Sequence, residues 1–347
     1  MGVFKDILSD EESLFINEVA LSFDFMPKEV PYRESENQYI ATCIKPLFQK
    51  RNGTNLFIHG SPGIGKTLAV RSVFKEMLDK GFDEEVIPIY INCWRKDTSH
   101  KIILDICEQL GYKFTHNRTT EELMNEVAKI LNKKSVVIAF DEADQLSDHK
   151  ILYYLLEDIY RKTIILVTNE KRWLDNLDER IKSRLLTEVL QFRPYNNNEV
   201  DGILKQRRDY AFVPNVFDKD AFSLIVDKTT ELKDIRTGLF LLKEAGNAAE
   251  SMSSRSIKID HANSAIVKIG SVKIKSSADL DKEERGILQL IKDNSGKTVR
   301  ELYELYKENG WNKAYNTFHR KVNELKNSKM IDVDEKSGKA SSVVRYG

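Results

Sequence analysis

The sequence of 347 residues predicts an α/β protein in three parts: a core built on a parallel β-sheet, a small helical domain and a C-terminal winged helix. The first observation is the segment Gly60–Thr67, which reads GSPGIGKT and matches the phosphate-loop pattern G-x-x-x-x-G-K-[ST] in full. The second is a pair of apolar runs that end in polar side chains, at Asp141–Glu142 and at Thr168–Asn169. The third is a change of pattern at Asn196, after which helical periodicity continues without strands until a final hairpin.

The phosphate loop lies in the context that such a loop requires. A short apolar run typical of a buried parallel strand precedes it, and helical periodicity follows from Thr67 to Lys80. Backbone N–H groups and the positive end of the helix dipole then converge on phosphates. We expect Lys66 to reach the β- and γ-phosphates of a nucleoside triphosphate and the Thr67 hydroxyl to bind Mg²⁺. The predicted nucleotide-binding residues of this segment are Gly60, Pro62, Gly63, Ile64, Gly65, Lys66, Thr67 and Leu68.

A glycine-rich turn without a ligand is the alternative interpretation of this loop. It would have to match the whole pattern and both flanking elements by chance. The sequence therefore favours a nucleotide site.

The apolar run that ends in Asp141 and Glu142 predicts a buried strand that carries two carboxylates to the ligand-binding edge of the sheet. We expect Asp141 to hold Mg²⁺, mostly through water, because that ion gives up its hydration shell reluctantly. Glu142 is the predicted general base for the attacking water. An ordinary strand followed by a solvated acidic turn is the alternative, and the phosphate loop upstream makes it less favoured.

Two further segments offer polar groups to the same site. Asn169 follows an apolar strand pattern and is predicted to hydrogen-bond the γ-phosphate or the attacking water, although Thr-Asn after a strand is also a common turn. Arg180 and Arg184 are four residues apart and share one face of a short predicted helix. Such a face is usually only solvated, but in an oligomeric ATPase it can supply an arginine to the nucleotide of a neighbouring chain.

Composition narrows the class of protein. The sequence is 41% hydrophobic and 31% charged, which is typical of a soluble protein, and we expect a cytoplasmic location because neither a membrane span nor a signal peptide is visible. Its 54 basic and 54 acidic residues cancel, so any contact with nucleic acid must come from a local patch. Cys43, Cys93 and Cys107 lack the spacing of a zinc site and are predicted to be reduced, mostly buried thiols.

The predicted domain boundaries place the core with an N-terminal extension at 1–195, the helical domain at 196–270, a polar linker at 271–278 and the winged helix at 279–347. The extension, Met1 to Met26, is expected to wrap over the core. In the helical domain, Asp234 is a predicted N-cap and Arg236 lies in the first turn of the helix that follows. A cation there opposes the helix dipole and needs another partner, and a phosphate is one.

Positive charge is concentrated at the end of the chain. From Lys313 onward there are eight Lys or Arg against four Asp or Glu, on the third helix and the hairpin of the predicted winged helix. These are the elements that such a module places on DNA, although a winged helix can also serve only for protein contacts. The predicted DNA-binding residues are His319, Arg320, Lys321, Lys336 and Lys339.

Together these residues resemble a known family over roughly residues 30–347: the AAA+ ATPases that initiate replication in archaea, named after origin recognition complex subunit 1 and cell division control protein 6. The matching features are Pro31 with Arg33-Glu34, the phosphate loop, Asp141-Glu142, Asn169 as first sensor, Arg180 and Arg184, Tyr195, Arg207, Asp234-Ile235-Arg236 as second sensor, and the terminal winged helix.

The resemblance implies a five-stranded core, a helical lid and further site residues. It implies that Tyr195 and Arg207 contribute to the nucleotide site, that Arg236 senses the γ-phosphate, and that Arg184 is a better match to the arginine finger than Arg180. It also implies ATP or ADP with Mg²⁺ as ligands, weak ATP hydrolysis that serves as a conformational switch, and double-stranded origin DNA, a replicative helicase and a paralogous initiator or a second copy as partners. Two alternatives stay open: an ATPase of the mobile-element or clamp-loader type, and a nucleotide-gated transcription regulator.

Overall fold

The structure, a computed structural model, describes residues 13–278, 282–311, 313–327, 331–334 and 343–346. The chain divides into two compact units, Met1–Asn263 and Ser264–Gly347. Within the described ranges, no helix is both long enough and apolar enough to cross a membrane.

The first unit is organised around a sheet of five parallel strands, which confirms the predicted fold class. The strands are β1 (Leu56–His59), β2 (Val86–Asn92), β3 (Ser135–Asp141), β4 (Lys162–Thr168) and β5 (Glu188–Gln191), and their spatial order is β2-β3-β4-β1-β5. Strand β4 therefore separates the strand that leads into the phosphate loop from the strand that ends at Asp141. This order confirms that Asn169, the residue after β4, emerges between the two motifs. Strand β3 is buried along its whole length, as expected for a sheet covered on both faces.

Helices cover this sheet. They are α1 (Glu34–Ile44), α2 (Lys66–Asp79), α3 (Ser99–Gln109), α4 (Thr120–Leu131), α5 (Lys150–Asp158) and α6 (Glu179–Leu185). Helix α4 begins at a capping box in which Thr119 and Glu122 satisfy each other's backbone N–H groups. Helix α5 is not among the predicted elements, and its N-cap, His149, makes no side-chain capping bond.

Three lid helices follow the sheet in the same compact unit: α7 (Asn197–Ala211), α8 (Lys219–Leu232) and α9 (Ile235–Ser251). A second capping box, between Asn196 and Glu199, starts α7. Asp234 caps α9 by accepting a hydrogen bond from the backbone N–H of Arg236, as the sequence predicts.

The N-terminal segment, residues 13–27, is the described part of the N-terminal extension and packs mainly on the lid helices, whereas the sequence predicts that the extension wraps over the core; residues 1–12 lie outside the described residues. The N–H of Ile16 donates to the carbonyl of Ala211 over 2.8 Å, and the rings of Phe15 and Phe212 lie 4.6 Å apart. Ala20 and Leu21 are buried. The end of α7 thus covers part of the apolar surface of the segment, and the sequence pattern could not identify this partner.

Helix α10 (Ile259–Ala278) includes all of the segment 271–278, which the sequence predicts to be a polar linker, so this segment is helical. The segment is polar, but it contains neither glycine nor proline, and Gly270 directly before it costs only about 1 kcal/mol in a helix interior. Polar composition alone therefore did not end the helix.

The second unit contains α11 (Lys282–Asp293), α12 (Val299–Glu308), α13 (Tyr315–Asn327) and the antiparallel strands β6 (Ile331–Asp334) and β7 (Val343–Tyr346). Thr298 forms an additional antiparallel bridge to Val343, beside the hairpin. A compact core that includes Leu302, Tyr306 and Phe318 joins these elements. The order of three helices and a hairpin is the one that the sequence analysis predicts for a winged helix.

Candidate nucleotide site

A cleft of about 690 Å³ lies where the phosphate loop, the lid helices and the N-terminal segment meet. Its volume is in the range of ordinary ligand pockets. Its lining includes Pro62 to Leu68 from the loop, Glu142 and Asn169 from the sheet edge, and Tyr195, Arg207 and Arg236 from the lid and its junction with the core. Residues from distant parts of the chain that the sequence analysis assigned to one site are therefore close together.

The glycines of the phosphate loop are required by its shape. Gly63 and Gly65 have φ angles of +72° and +88°, in the left-handed region that residues with a Cβ rarely adopt. A Cβ on Gly63 would lie 1.8 Å from Oδ1 of Asp234, and a Cβ on Gly65 would lie 2.7 Å from the Tyr195 hydroxyl. Only glycine fits at both positions, and its absent side chain keeps the loop backbone open to a ligand.

Hydrogen bonds connect Lys66, Asn169 and Glu142 in series at the edge of the sheet. The Lys66 ammonium donates to the carbonyls of Gly60 and Ser61 and to Oδ1 of Asn169, each over 2.8 Å. The other end of the same amide donates to Oε2 of Glu142 over 2.7 Å. Asn169 thus orients Glu142, the predicted base, relative to Lys66, the residue predicted to bind the phosphates.

Burial shifts the pKa values of Lys66 and Glu142, the charged groups at the two ends of this hydrogen-bonded series. Desolvation lowers the pKa of the Lys66 ammonium to about 8. Desolvation, followed by the nearby charges of Asp141 and Asp144, raises the pKa of the Glu142 carboxyl. A carboxylate with a raised pKa is a stronger base, which suits the role predicted for Glu142.

Asp141 is only 2% exposed, and both of its carboxylate oxygens accept hydrogen bonds. The hydroxyl of Tyr90 donates to Oδ2 over 2.5 Å, and the N–H of Glu142 donates to Oδ1 over 3.1 Å. Burial and the adjacent carboxylate raise the pKa of Tyr90, so this hydroxyl stays protonated and acts as a donor. Tyr90 is not among the predicted site residues; it lies on the neighbouring strand β2, two residues before Asn92, the register partner of Asp141.

A third carboxylate was also missed. Asp144 accepts a hydrogen bond of 2.7 Å from the hydroxyl of Thr168, the last residue of β4. This bond ties the turn after β3 to the end of β4 and so fixes the approach of Glu142 to Asn169. The acidic residues that follow one another at the end of β3 are the sequence feature from which Asp144 could have been predicted.

The donor set fits a triphosphate with Mg²⁺. The loop offers backbone N–H groups at the start of α2 and one lysine, which are the groups that bind phosphates. The Thr67 hydroxyl and the Asp141 carboxylate are the hard oxygen ligands that Mg²⁺ prefers.

Arg33 has a structural role at this site that was not predicted from the sequence. The resemblance to the family included Arg33 but assigned it no role. Its side chain is 0% exposed and lies 4.0 Å from the centroid of the Tyr195 ring. Its guanidinium donates to the carbonyl of Ile64 over 2.9 Å and to the carbonyl of Arg193 over 2.7 Å, and it pairs with Glu36. One buried cation therefore joins the phosphate loop to the junction between core and lid.

The lid contacts the phosphate loop directly at the start of α9. The N–H of Ile235 donates to the carbonyl of Gly63 over 3.2 Å. Arg236, in the next position, lines the cleft and forms an ion pair of 2.9 Å with Asp234.

Arg207 also lines the cleft, but its guanidinium binds the N-terminal segment. It donates to the carbonyls of Ala20 and Phe25, each over 3.0 Å. Burial lowers the pKa of Arg207 to about 10. In this arrangement Arg207 holds the segment against the lid, a role that the sequence analysis did not foresee.

Arg184 projects from α6 towards α5, where it pairs with Glu157 and lies over the ring of Tyr153, 5.5 Å from its centroid. Its guanidinium also donates to the carbonyl of Arg180, one turn earlier. The structure thus places Arg184 on the outer face of the core, and a contact with a neighbouring chain stays a prediction.

The predicted DNA-binding residues divide into three groups. His319 and Arg320 are exposed on α13. Lys321 is only 7% exposed, so its prediction as a surface contact is wrong: its position faces inward, between the buried residues Phe318 and Val322. Lys336 and Lys339 lie outside the described residues.

Comparison with known protein families supports the assignment of the fold. A model of the AAA domain matches residues 49–170, and a model of the lid domain of the Cdc6 AAA+ ATPase type matches residues 201–266. These two segments contain the phosphate loop, the acidic strand and all three lid helices except the first turn of α7.

Solved structures share the fold. The ORC1 protein of Aeropyrum pernix, determined in complex with DNA, superposes with a TM-score of 0.78 at 24% identity, covering 97% of this chain and 94% of that one. The ORC2 protein of the same organism, determined as ADPNP-ADP complexes, gives a TM-score of 0.66 at 19% identity, with 96% and 94% covered.

Two relatives establish the family. ORC1-type DNA replication protein 2 of Methanothermobacter thermautotrophicus is 30% identical over 347 aligned residues, which cover 94% of this chain and 90% of that protein. ORC1-type DNA replication protein 1 of Sulfurisphaera tokodaii is 34% identical over 281 residues, with 77% and 70% covered. The chain therefore belongs to the ORC1-type DNA replication proteins, the Orc1/Cdc6 group of AAA+ initiators, as the resemblance predicted.

Proposed function

We propose that this chain is an ATP-controlled initiator that binds double-stranded origin DNA and helps to recruit or load the replicative helicase. The observation that carries the proposal is the cleft in which the phosphate loop meets both the catalytic edge of the sheet and the first turn of α9. A ligand bound there touches core and lid at once, so it can favour one arrangement of the two.

We assign a role in this function to the side chains around the phosphate loop. Lys66 binds the β- and γ-phosphates, Asn169 positions the attacking water, and Glu142 accepts its proton. Thr67 and Asp141 would hold Mg²⁺, and the ion would neutralise phosphate charge when bound.

ATP acts mainly as a switch, and turnover is slow. Arg236 distinguishes ATP from ADP because only ATP offers it a γ-phosphate, and Tyr195 and Arg207 complete the nucleotide pocket from the lid side. Arg184 reaches the nucleotide of an adjacent chain, which is a paralogue or a second copy, so hydrolysis accelerates on assembly.

DNA binding resides in the second unit. His319 and Arg320 are exposed on α13, the helix that a winged helix inserts into the major groove. The A. pernix relative determined with DNA supports this assignment by its fold. Because phosphate contacts fix position and base contacts discriminate, Arg320→Ala should relax sequence preference more than it weakens binding to random DNA.

Footprinting on chromosomal DNA, with ATP and with ADP, tests the function as a whole. We expect protection of discrete sites at the replication origin that is stronger with ATP. Protection only at promoters would indicate a transcription regulator. An absence of discrete sites would indicate a helper ATPase without origin specificity.

A further inference from the structure

The predicted γ-phosphate sensor already has an anionic partner in its own chain. Nη2 of Arg236 lies 2.9 Å from Oδ2 of Asp234, and Nε lies 3.1 Å from Oδ1 and 3.3 Å from Oδ2. The guanidinium therefore uses its planar fork on a carboxylate, which is the geometry that it would otherwise offer to a phosphate.

The same carboxylate lies directly over the phosphate loop. A Cβ on Gly63 would be only 1.8 Å from Oδ1 of Asp234 and 2.8 Å from Oδ2. The N–H of Ile235 holds the two segments together through the Gly63 carbonyl. A negative charge in this position is unfavourable next to the phosphates that the loop is built to bind.

The need to cap α9 does not explain why residue 234 carries a negative charge. Asp234 accepts a hydrogen bond of 2.9 Å from the backbone N–H of Arg236, and this task requires only an oxygen acceptor. Asparagine and serine cap helices about as well as aspartate. What aspartate adds is the ion pair with Arg236, whose side chain is 48% exposed while that of Asp234 is 26% exposed. The pair is thus accessible enough to exchange partners.

We propose that Asp234 is a specificity-determining residue for the nucleotide: it competes with the γ-phosphate for Arg236 and thereby sets how strongly the protein prefers ATP to ADP. ATP must separate the ion pair to engage Arg236, whereas ADP binds without doing so. The cost of separation therefore falls on ATP alone and reduces the ATP/ADP affinity ratio. This inference rests on the proposed function, in which Arg236 senses the γ-phosphate.

Calorimetric measurement of the ATP and ADP affinities tests the inference in the full chain. The variants are Asp234→Asn and Asp234→Ser, which keep a cap, Arg236→Gln, and the double variant Asp234→Asn/Arg236→Gln. Asp227→Asn is the matched control because it removes one exposed carboxylate from the neighbouring lid helix α8. Thermal unfolding of each variant verifies that α9 stays capped.

We expect Asp234→Asn and Asp234→Ser to raise the ATP/ADP affinity ratio about two- to fivefold, the range for a partly exposed ion pair. In the Arg236→Gln background the same substitution should leave the ratio unchanged, because the guanidinium for which the two anions compete is gone. The Asp227→Asn control should have the wild-type ratio.

Two results would overturn the inference. Asp234→Asn could strengthen ATP and ADP binding by the same factor, which would show simple repulsion of phosphates without competition. The ratio could also rise equally in the presence and absence of Arg236, which would exclude exchange of partners. Failure of the proposed function is visible separately: if Arg236→Gln alone leaves the ratio at its wild-type value, Arg236 is not the sensor.

Discussion

Arg33 offers the sharpest test of how the phosphate loop is held. Its guanidinium is fully buried and makes hydrogen bonds to Ile64, Arg193 and Glu36, so Arg33→Ala removes all of them together. Breaking a buried charge pair by removing one partner costs about 3–5 kcal/mol. In proteins of roughly 150–250 residues, each kcal/mol of lost stability lowers the midpoint of thermal unfolding by roughly 2–4 °C. The midpoint of Arg33→Ala should therefore fall by about 6–20 °C.

Lysine at this position should restore only part of the stability. It keeps the positive charge but lacks the planar fork that reaches two carbonyls and a carboxylate, and it stacks less well on Tyr195. Arg33→Lys should therefore unfold between the wild type and Arg33→Ala. Because the Ile64 carbonyl belongs to the phosphate loop, we expect both variants to bind ATP more weakly.

Thermal unfolding monitored by circular dichroism measures these differences. The control is Arg172→Ala, an exposed arginine whose replacement should change stability by no more than about 0.5 kcal/mol. If Arg33→Ala unfolds within about 1 kcal/mol of the wild type, the contacts of Arg33 do not hold the loop and the argument fails.

Three further predictions concern chemistry, assembly and acid stability. Glu142→Gln should bind ATP with little loss of affinity while single-turnover hydrolysis falls by about two or more orders of magnitude, and equal hydrolysis would remove Glu142 from the mechanism. Arg184→Ala should bind ATP normally but hydrolyse it poorly, and mixing it with Glu142→Gln on origin DNA should restore some activity; full activity of Arg184→Ala alone would contradict a finger supplied by a neighbour. The hydrogen bonds from Arg193 lower the pKa of the Glu199 carboxyl below its ordinary value of 4.5. The pair therefore stabilises the folded protein above pH 4.5, and this stabilisation is lost as the pH falls through the pKa of the folded state. Glu199→Gln should therefore lower the unfolding midpoint more at pH 7 than at pH 4, and an equal loss at both would contradict the linkage.

Elements whose boundaries are encoded locally could be predicted from the sequence. The start of helix α9 could be predicted because its cap, Asp234, accepts a hydrogen bond from a backbone N–H only two residues away. Strand β2 (Val86–Asn92) could be predicted as well, since an apolar run between turn residues identifies a buried strand. The phosphate loop was predictable for the same reason: its chemistry lies within one continuous motif.

Contacts between distant segments could not be predicted. Arg33 bonds to a carbonyl 160 residues away, and the N–H of Leu14 donates to Glu250, 236 residues away. No periodicity in a single sequence encodes such pairs. The roles of Arg33 and of the N-terminal segment therefore became visible only when the chain was folded.

Lys321 illustrates a different error. Counting basic residues on α13 takes no account of the face on which each one lies. Phe318, Val322 and Leu325 recur at the spacing of a buried helical face, and Lys321 lies on the same side. Applying helical periodicity to the basic residues would have separated Lys321 from His319 and Arg320.

The central claim, that the loop around Lys66 binds the phosphates of ATP, is tested most directly by calorimetric titration of Lys66→Ala with ATP. The Lys66 ammonium is the cation that the loop carbonyls and Asn169 hold in the cleft, so the variant should lose most of its ATP affinity. Lys75→Ala, on the exposed side of the same helix α2, should bind ATP as the wild type does. Unchanged ATP affinity in a folded Lys66→Ala protein would contradict the account.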